Sequence, residues 1–196
     1  MFEYDNSAEW RALFWMDRGF SVCLLGVRSK KPESEFIPPL SRECVRSGIP
    51  TNRTLGLHTG GSVIVLDIDV RKQWDGFVSI KNTMYAHRFA IDDHPTLTVR
   101  TPSSGMHLYY RLPEGFGRVG RSYRMLPGVD LLADDAVVVA PGETTESGRY
   151  EIVSASLEIA QAPEELMSLI DLYAHKGFRD YDEKEAQAHE FTHDLD

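Results

Sequence analysis

Asp67 and Asp69 are the residues of this chain whose type and spacing point most directly to chemistry. They end an apolar run, Val-Ile-Val-Leu-Asp-Ile-Asp, at residues 63–69. Such a run favours a buried strand, and because side chains alternate along a strand, both carboxylates lie on one face, with Cα atoms roughly 6–7 Å apart. Two like charges at the end of an apolar strand resist desolvation unless a cation lies between them. The pair therefore favours a site for divalent metal ions about 3.5–4 Å apart, with a solvated strand end as the ordinary alternative.

A second segment, residues 98–111, has the pattern of a strand, a short turn and another strand. The turn, Pro-Ser-Ser-Gly at residues 102–105, can direct backbone N–H groups and hydroxyls towards an anion. His107 begins the following strand and Arg111 ends it. A histidine at the start of a strand is commonly a structural hydrogen-bonding residue, so its chemical role depends on what lies beside it.

Asp130 follows Gly128-Val129 and precedes two leucines, so it is a third acid among apolar neighbours. Alone it would be an ordinary turn aspartate. Together the three segments supply three carboxylates, a histidine and a phosphate-compatible turn on strands that we expect to be adjacent. This set of groups is the one that metal-assisted phosphoryl or nucleotidyl transfer requires.

The order of these segments resembles the bifunctional primase/polymerase (prim-pol) branch of the archaeo-eukaryotic primase superfamily. The matching motifs are hydrophobic-Asp-x-Asp, then Pro-Ser-x-Gly-x-His, then hydrophobic-Asp followed by Val-Val-Ala-Pro at residues 138–141. Upstream, Gly19-Phe20, Ser-Lys-Lys-Pro at residues 29–32 and Leu-Gly-Leu-His-Thr-Gly at residues 55–60 are also similar to family segments. The resemblance spans residues 8–153.

Two departures from the family pattern concern the fit of nucleotide and template. The second motif has Ser104-Gly105 where family members often have two glycines. After the third aspartate, this chain has Leu132 and Asp135-Ala136, where the family often has a basic residue and glycines. Neither departure changes a carboxylate.

The resemblance implies roles for individual residues. Asp67, Asp69 and Asp130 would bind two Mg²⁺ or Mn²⁺ ions, and His107 would contact the triphosphate of an incoming NTP or dNTP. The remaining residues that we assign to nucleotide binding are those of the serine turn and three basic residues: Ser103, Ser104, Gly105, Lys30, Lys31 and Arg111.

The function implied by the resemblance is that of a DNA-dependent primase/polymerase. It would synthesise and extend primers on a single-stranded DNA template during phage or plasmid replication, with a helicase in the same or another chain as a partner. This chain contains no P-loop of the form Gly-x-x-x-x-Gly-Lys-Ser/Thr. The alternatives are a non-catalytic module that binds primer and template, a metal-dependent nuclease using the same carboxylates, and a structural α/β domain with a fortuitous acidic strand.

The net charge of −9 argues against nucleic-acid binding, since polyanion binding favours a basic surface. Its distribution weakens that argument. Residues 180–196 contain seven acids against Lys184, which is a net −6 of the −9. Residues 18–53 and 111–124 are by contrast rich in arginine and lysine, so they are candidates for contact with primer or template.

Cysteine usage and hydropathy indicate the compartment. Cys23 and Cys44 lack Cys-x-x-Cys or histidine spacing, so neither a disulfide framework nor a structural zinc site is predicted. The start of the chain has no basic and apolar signal-peptide regions, and no apolar stretch approaches about 18 residues. We expect a cytoplasmic protein without membrane contact.

Periodicity predicts a mixed α+β fold, and the family resemblance implies an RRM-like catalytic sheet with an N-terminal αβ unit and helices flanking a mostly antiparallel sheet. A capping box of Asn6 and Glu9 would begin a helix that stops at Gly19. A helix is also predicted over residues 74–90, another begins near Pro163, and residues 32–50 and 115–127 are predicted as loops. Strands are predicted at residues 21–27, 55–58, 63–69, 96–101, 107–112, 129–132, 137–140 and 149–153.

With 42% hydrophobic residues the chain can form one catalytic domain, residues 1–178, followed by an acidic tail, residues 179–196.

Overall fold

The computed structural model describes residues 7–34, 37–71, 73–86, 93–116, 119 and 122–175. The predicted tail and the predicted helical residues 87–90 lie outside this part of the chain. The described residues form four helices, α1 (Ala8–Asp17), α2 (Arg42–Arg46), α3 (Gly76–Ala86) and α4 (Glu164–His175). None of these helices is long and apolar enough to cross a membrane. The predicted mixed α+β class is confirmed.

A small antiparallel sheet belongs to the N-terminal unit. Its strands are β1 (Ser21–Val27), β2 (Arg53–His58) and β10 (Val137–Val139), and β2 is in the middle. Helix α1 packs beside this sheet, and Ser7 rather than Asn6 caps the helix, because its side chain accepts a hydrogen bond from Trp10 N at 3.1 Å. The capping box predicted from Asn6 and Glu9 is therefore wrong. Glu9 instead accepts a hydrogen bond from Ile49 N.

A larger sheet contains seven strands in the order β13-β6-β7-β3-β9-β8, with β14 paired to β7. Every pairing in it is antiparallel except that between β14 and β7. The strands are β3 (Val63–Ile68), β6 (Thr98–Arg100), β7 (Met106–Arg111), β8 (Ser122–Leu126), β9 (Val129–Leu132), β13 (Glu151–Ile152) and β14 (Ala160–Gln161). Two short hairpins complete the fold, β4 (Val70–Arg71) with β5 (Trp74–Asp75) and β11 (Thr144–Thr145) with β12 (Gly148–Arg149).

Strand β3 lies at the centre of the large sheet and is buried on both faces. Ile64, Leu66 and Ile68 belong to a core cluster that includes residues of α3 and α4. Val63 and Val65 point the other way, into a second cluster that includes residues of α1, β1, β2 and β10. Burial on both faces explains the nearly continuous apolar run of β3. Asp67 interrupts this run on the face opposite the helices α3 and α4.

The differences from the predicted elements arise where pairing or packing with another segment determines the local structure. The predicted loop at residues 115–127 contains β8, which forms a hairpin with β9, and the predicted loop at residues 32–50 contains α2. The predicted strand at residues 149–153 is split at Tyr150 into β12 and β13. The helix predicted from residue 74 begins at Gly76, because Trp74 and Asp75 pair with β4.

Strand β3 ends at Ile68, one residue before the end predicted from the sequence, and the backbone of Asp69 is then held by two glycine segments. Asp69 N donates to Gly128 O at 2.8 Å, and Gly76 N donates to Asp69 O at 3.0 Å. A Cβ atom at Gly76 would overlap the carbonyl oxygen of Gly128 and lie 2.9 Å from that of Asp69. The three backbones can approach this closely only because residues 76 and 128 lack side chains.

We predict that Gly76→Ala lowers the free energy of unfolding by about 1–3 kcal/mol, because the added methyl group must displace two backbone segments. Urea denaturation would measure the change. Val78→Ala is the matched control, since Val78 lies on the same helix, is 53% exposed, and should shift stability by less than about 0.5 kcal/mol. Equal stability of the two variants would contradict this account of the glycine.

Candidate active site

The register of the large sheet brings three of the predicted site residues together. Asp67 on β3 is the Cα partner of His107 on β7 and of Asp130 on β9. Directly paired residues point to the same face of a sheet with Cβ atoms about 4.5–5.5 Å apart. The acid at the centre of the sheet is therefore flanked by the histidine on one side and by another acid on the other.

Asp69 joins this group from just beyond the end of β3. The side chains of Asp67 and Asp69 are 24% and 21% exposed, so both carboxylates are reachable from solvent while mostly covered. The charges of both raise the pKa of the Tyr150 hydroxyl, in addition to the larger effect of burial. The two carboxylates thus lie close to the same tyrosine.

Asp130 is the carboxylate of this group whose pKa is raised. Burial is the main cause that raises the pKa of its carboxyl group, and the negative charges of Asp67 and Asp69 raise it further. Arg124, its Cα partner on β8, and Arg71 act in the opposite direction. Arg71 also forms an ion pair with Asp69. Two arginines therefore offset the repulsion among three carboxylates only in part.

His107 is buried, with 5% of the residue exposed, although it lies beside charged groups. Its Nε2 is 3.4 Å from Asp67 Oδ1, and its Nδ1 has no hydrogen-bond partner among the described residues. A buried polar nitrogen without a partner is uncommon and usually has a functional explanation. The imidazole can therefore offer one nitrogen to a ligand while the other faces Asp67.

Two tyrosines complete the environment of His107, and no sequence motif pointed to either. The rings of Tyr150 and Tyr109 have centroids 5.7 Å and 6.4 Å from that of His107. The pKa of the Tyr109 hydroxyl is raised by complete burial and then by the charge of Asp67. Both phenols consequently stay neutral beside the carboxylates. Tyr150 approaches them only because the chain returns from β12 to the edge of the sheet, a contact that no local pattern encodes.

The serine turn joins β6 to β7 and therefore lies two residues from His107. Ser103 and Ser104 are exposed, and Ser104 has a φ of 66°, a left-handed conformation that favours glycine. Gly105 packs against the Ile68 carbonyl, where a Cβ atom would overlap the oxygen. Ser104 thus occupies a backbone position that suits the glycine often found there in the family. In this chain the position carries a serine hydroxyl instead.

The three predicted basic residues lie at different places. Lys30 and Lys31 are exposed on the turn after β1, whose Arg28 carbonyl accepts a hydrogen bond from Glu146 N in the β11–β12 loop. Gly148 of the same hairpin packs against Pro102 of the serine turn. Both turns therefore contact one hairpin.

Arg111 is not brought to the carboxylates. It is paired with Val63, at the opposite end of β3 from Asp67. Four residues of strand separate Arg111 from His107, which is about 13 Å. Arg111 therefore lies outside the candidate site, whereas Arg71 and Arg124 belong to it.

The donor set fits a divalent cation that prefers oxygen. Three carboxylates lie near one region, and the pKa of Asp130 is raised by burial first and then by the charges of the other two, despite the opposite effect of the two arginines. Within the described part of the chain, no three acidic, histidine or cysteine side chains converge tightly enough to hold an ion as they stand. The Asp69 carboxylate forms an ion pair with Arg71, which a metal ion would have to replace.

The fold and site define a mixed α+β protein with a helix-backed antiparallel sheet and an acidic cluster on the face opposite α3 and α4. The chain belongs to the family of N-terminal domains of bifunctional DNA primase/polymerases, whose sequence model matches residues 12–165. Membership supports a primase/polymerase-type function in replication and an activity of nucleotidyltransferase type. No curated protein matches the sequence. The family resemblance found from the motifs is confirmed.

We predict that Asp130→Asn makes the protein more stable than the wild type at pH 7. Because the folded-state pKa of Asp130 is raised, the wild-type residue stabilises most below its ordinary pKa of about 3.9, and this contribution is lost as the pH rises through the folded-state value. The advantage of the asparagine should therefore disappear near pH 3.5, as measured by urea denaturation in EDTA.

Asp17→Asn is the control for this measurement. It removes an exposed carboxylate that is ion-paired with Arg42, so it should give no stabilisation at pH 7. An Asp130→Asn protein that is no more stable than the wild type at neutral pH would show that the repulsion is already compensated.

Proposed function

We propose that this domain is a DNA-dependent primase/polymerase that synthesises and extends primers on a single-stranded DNA template by two-metal nucleotidyl transfer. The observation that carries the proposal is the pairing of Asp67 with His107 on one side and with Asp130 on the other. The sequence resemblance adds a setting in phage or plasmid replication, with a replicative helicase as partner.

The carboxylates are the proposed metal ligands. Asp67, Asp69 and Asp130 would hold Mg²⁺ or Mn²⁺, which would supply charge neutralisation of the phosphates and a lower pKa for a primer 3′-hydroxyl. Asp69 becomes a ligand when its carboxylate leaves Arg71, whose guanidinium is then free to meet a phosphate. The exchange of one partner for another keeps both charges compensated.

His107 and the serine turn are the proposed contacts for the nucleotide. The unpartnered Nδ1 of His107 can hydrogen-bond to a phosphate oxygen while Nε2 remains beside Asp67. Ser103 and Ser104 are exposed on the turn that leads into β7, where their hydroxyls can donate to other phosphate oxygens. Catalysis would then consist of positioning and charge stabilisation, with no covalent enzyme intermediate.

We predict that Asp67→Ala and Asp69→Ala each abolish nucleotide incorporation without unfolding the protein. Both remove a metal ligand from a partly exposed position. The assay is an unprimed and a primed single-stranded template with labelled NTPs or dNTPs, tested separately with Mg²⁺ and Mn²⁺. Asp93→Asn, an exposed acid outside the site, should leave incorporation unchanged.

The same assay separates the competing activities. Incorporation retained in either alanine variant would reject the proposed ligands. Shortening of the DNA in the absence of nucleotides would instead favour a metal-dependent nuclease, whereas release of pyrophosphate only with nucleotides favours the polymerase. Binding of primer and template by the wild type with no incorporation under any metal would favour a non-catalytic module.

We predict that His107→Gln raises the KM for the incoming nucleotide by about tenfold or more, with a smaller change in kcat. Loss of a hydrogen bond to a charged phosphate costs roughly 1.5–3 kcal/mol, and a contact equally strong in ground and transition states appears in KM. Steady-state kinetics would measure both constants. A variant that melts at a lower temperature but keeps its KM would assign His107 a structural role only.

A further inference from the structure

A cavity of about 610 Å³ lies in the N-terminal unit, apart from the carboxylates. Residues of α1, of the segment preceding β2 and of the β11–β12 hairpin line it, and Asp67, Asp69, Asp130 and His107 do not. Its volume is within the range of sites for small organic ligands. Neither the sequence motifs nor the proposed catalytic roles account for it.

One wall of the cavity is aromatic. Trp10 and Phe14 are four residues apart on α1, so they lie on one helix face, and their rings are stacked with centroids 5.0 Å apart. Trp10 is 37% exposed. A large aromatic ring left this exposed at the mouth of a cavity offers a flat apolar surface to a ligand ring.

The rest of the cavity is rich in arginine. Arg11 is ion-paired with the buried Glu143 at 2.6 Å, and Arg53 with Glu33 at 2.8 Å, so these two are already compensated. Arg28 and Arg149 are exposed, and neither forms an ion pair with a described residue. The cavity thus presents two uncompensated guanidinium groups.

A buried hydroxyl adds an independent sign of a missing partner. Thr54 lines the cavity and is only 2% exposed, yet its Oγ1 has no hydrogen-bond partner among the described residues. Leaving a buried hydroxyl unpaired costs free energy, and a polar ligand group would recover it. The cavity therefore has an aromatic wall, two cationic groups and a polar floor.

The cavity is connected to the candidate active site through one short segment. Arg149 lines the cavity. The next residue, Tyr150, has its ring near that of His107, and after burial the charges of Asp67 and Asp69 raise the pKa of its hydroxyl. The cavity and the candidate active site are therefore connected through adjacent residues of one segment, of which Tyr150 is buried.

We propose that this cavity binds one nucleotide of a single nucleic-acid strand, with the base on Trp10 and the phosphate on Arg28 and Arg149. Aromatic stacking combined with cationic groups is the usual chemistry of single-strand binding without sequence reading. The inference rests on the proposed function only in taking the strand to be the template. It gives an acidic protein a local positive site for a polyanion.

The test measures the anisotropy of fluorescein-labelled (dT)12 with the whole chain in EDTA at low salt. Trp10→Ala and Arg149→Glu should each weaken binding by about fivefold or more. Arg46→Glu is the charge-matched control, because Arg46 is exposed on α2 outside the cavity, and it should weaken binding by less than about twofold. Trp10→Phe, which keeps a stacking ring, should retain most of the affinity.

Three results would overturn the proposal. Equal losses in Arg149→Glu and Arg46→Glu would indicate a general charge effect, and unchanged binding by Trp10→Ala would exclude stacking. Thymidine monophosphate that displaces (dT)12 at concentrations near the Kd of the oligonucleotide would assign the cavity to free nucleotides. If circular dichroism shows that Arg149→Glu is unfolded, Arg28→Glu replaces it in the same comparison.

The outcome is separable from that of the proposed function. Normal metal-dependent incorporation together with unaltered binding in the cavity variants would reject only the cavity. Cavity-dependent binding without incorporation would reject only the polymerase.

Discussion

The antiparallel pairing of β3 with both β7 and β9 is the constraint on which the rest of the structure depends. It places Asp67 between His107 and Asp130 on the sheet face opposite α3 and α4. The apolar residues of β3 face helices on one side and the N-terminal unit on the other, so a slip of one residue would bury Asp67 against α3 and α4. Because such a slip is so costly, hydrophobic burial determines where the acids meet.

This strand pairing places charged carboxylates in a partly buried position, where charge is unfavourable. Three carboxylates lie near one another with partial burial, and burial first and then the charges of Asp67 and Asp69 raise the pKa of Asp130, despite the opposite effect of Arg124 and Arg71. The glycine contacts around Asp69 hold its backbone in place despite the repulsion. Functional sites commonly retain such local instability because the chemistry requires it. The stabilisation from the large buried clusters on the two faces of β3 offsets this local instability.

The N-terminal unit has two relationships to this site. It covers part of the sheet face that carries the acids, through the core cluster that contains Val65 and Tyr109. It also extends, through the segment that contains Tyr150, to His107 and the carboxylates. Glu143 connects the N-terminal unit to the segment that contains Tyr150. Its side chain forms an ion pair with Arg11 of α1 and accepts a hydrogen bond from Leu55 N, and its backbone carbonyl accepts one from Tyr150 N. The unit is therefore both a packing surface and a neighbour of the chemistry.

Strong local patterns in the sequence were sufficient for the mixed fold class, for most strands, for the family and for the acidic positions. Alternation and apolar runs encode which faces are buried, so the common face of Asp67 and Asp69 followed from spacing alone. Segments with weak patterns, such as β8 and α2, were missed because β8 depends on its pairing with β9 and α2 on its packing against α1.

Only the tertiary structure decided which groups meet. It separated Arg111 from the acids by the length of a strand, and it added Arg71, Arg124 and Tyr150 to them. It also formed the arginine and tryptophan cavity from segments far apart in the chain. The physical reason is that periodicity specifies the face of an element on which a side chain lies. The neighbours on that face depend on strand order and on long-range contacts, which no local run of residues encodes.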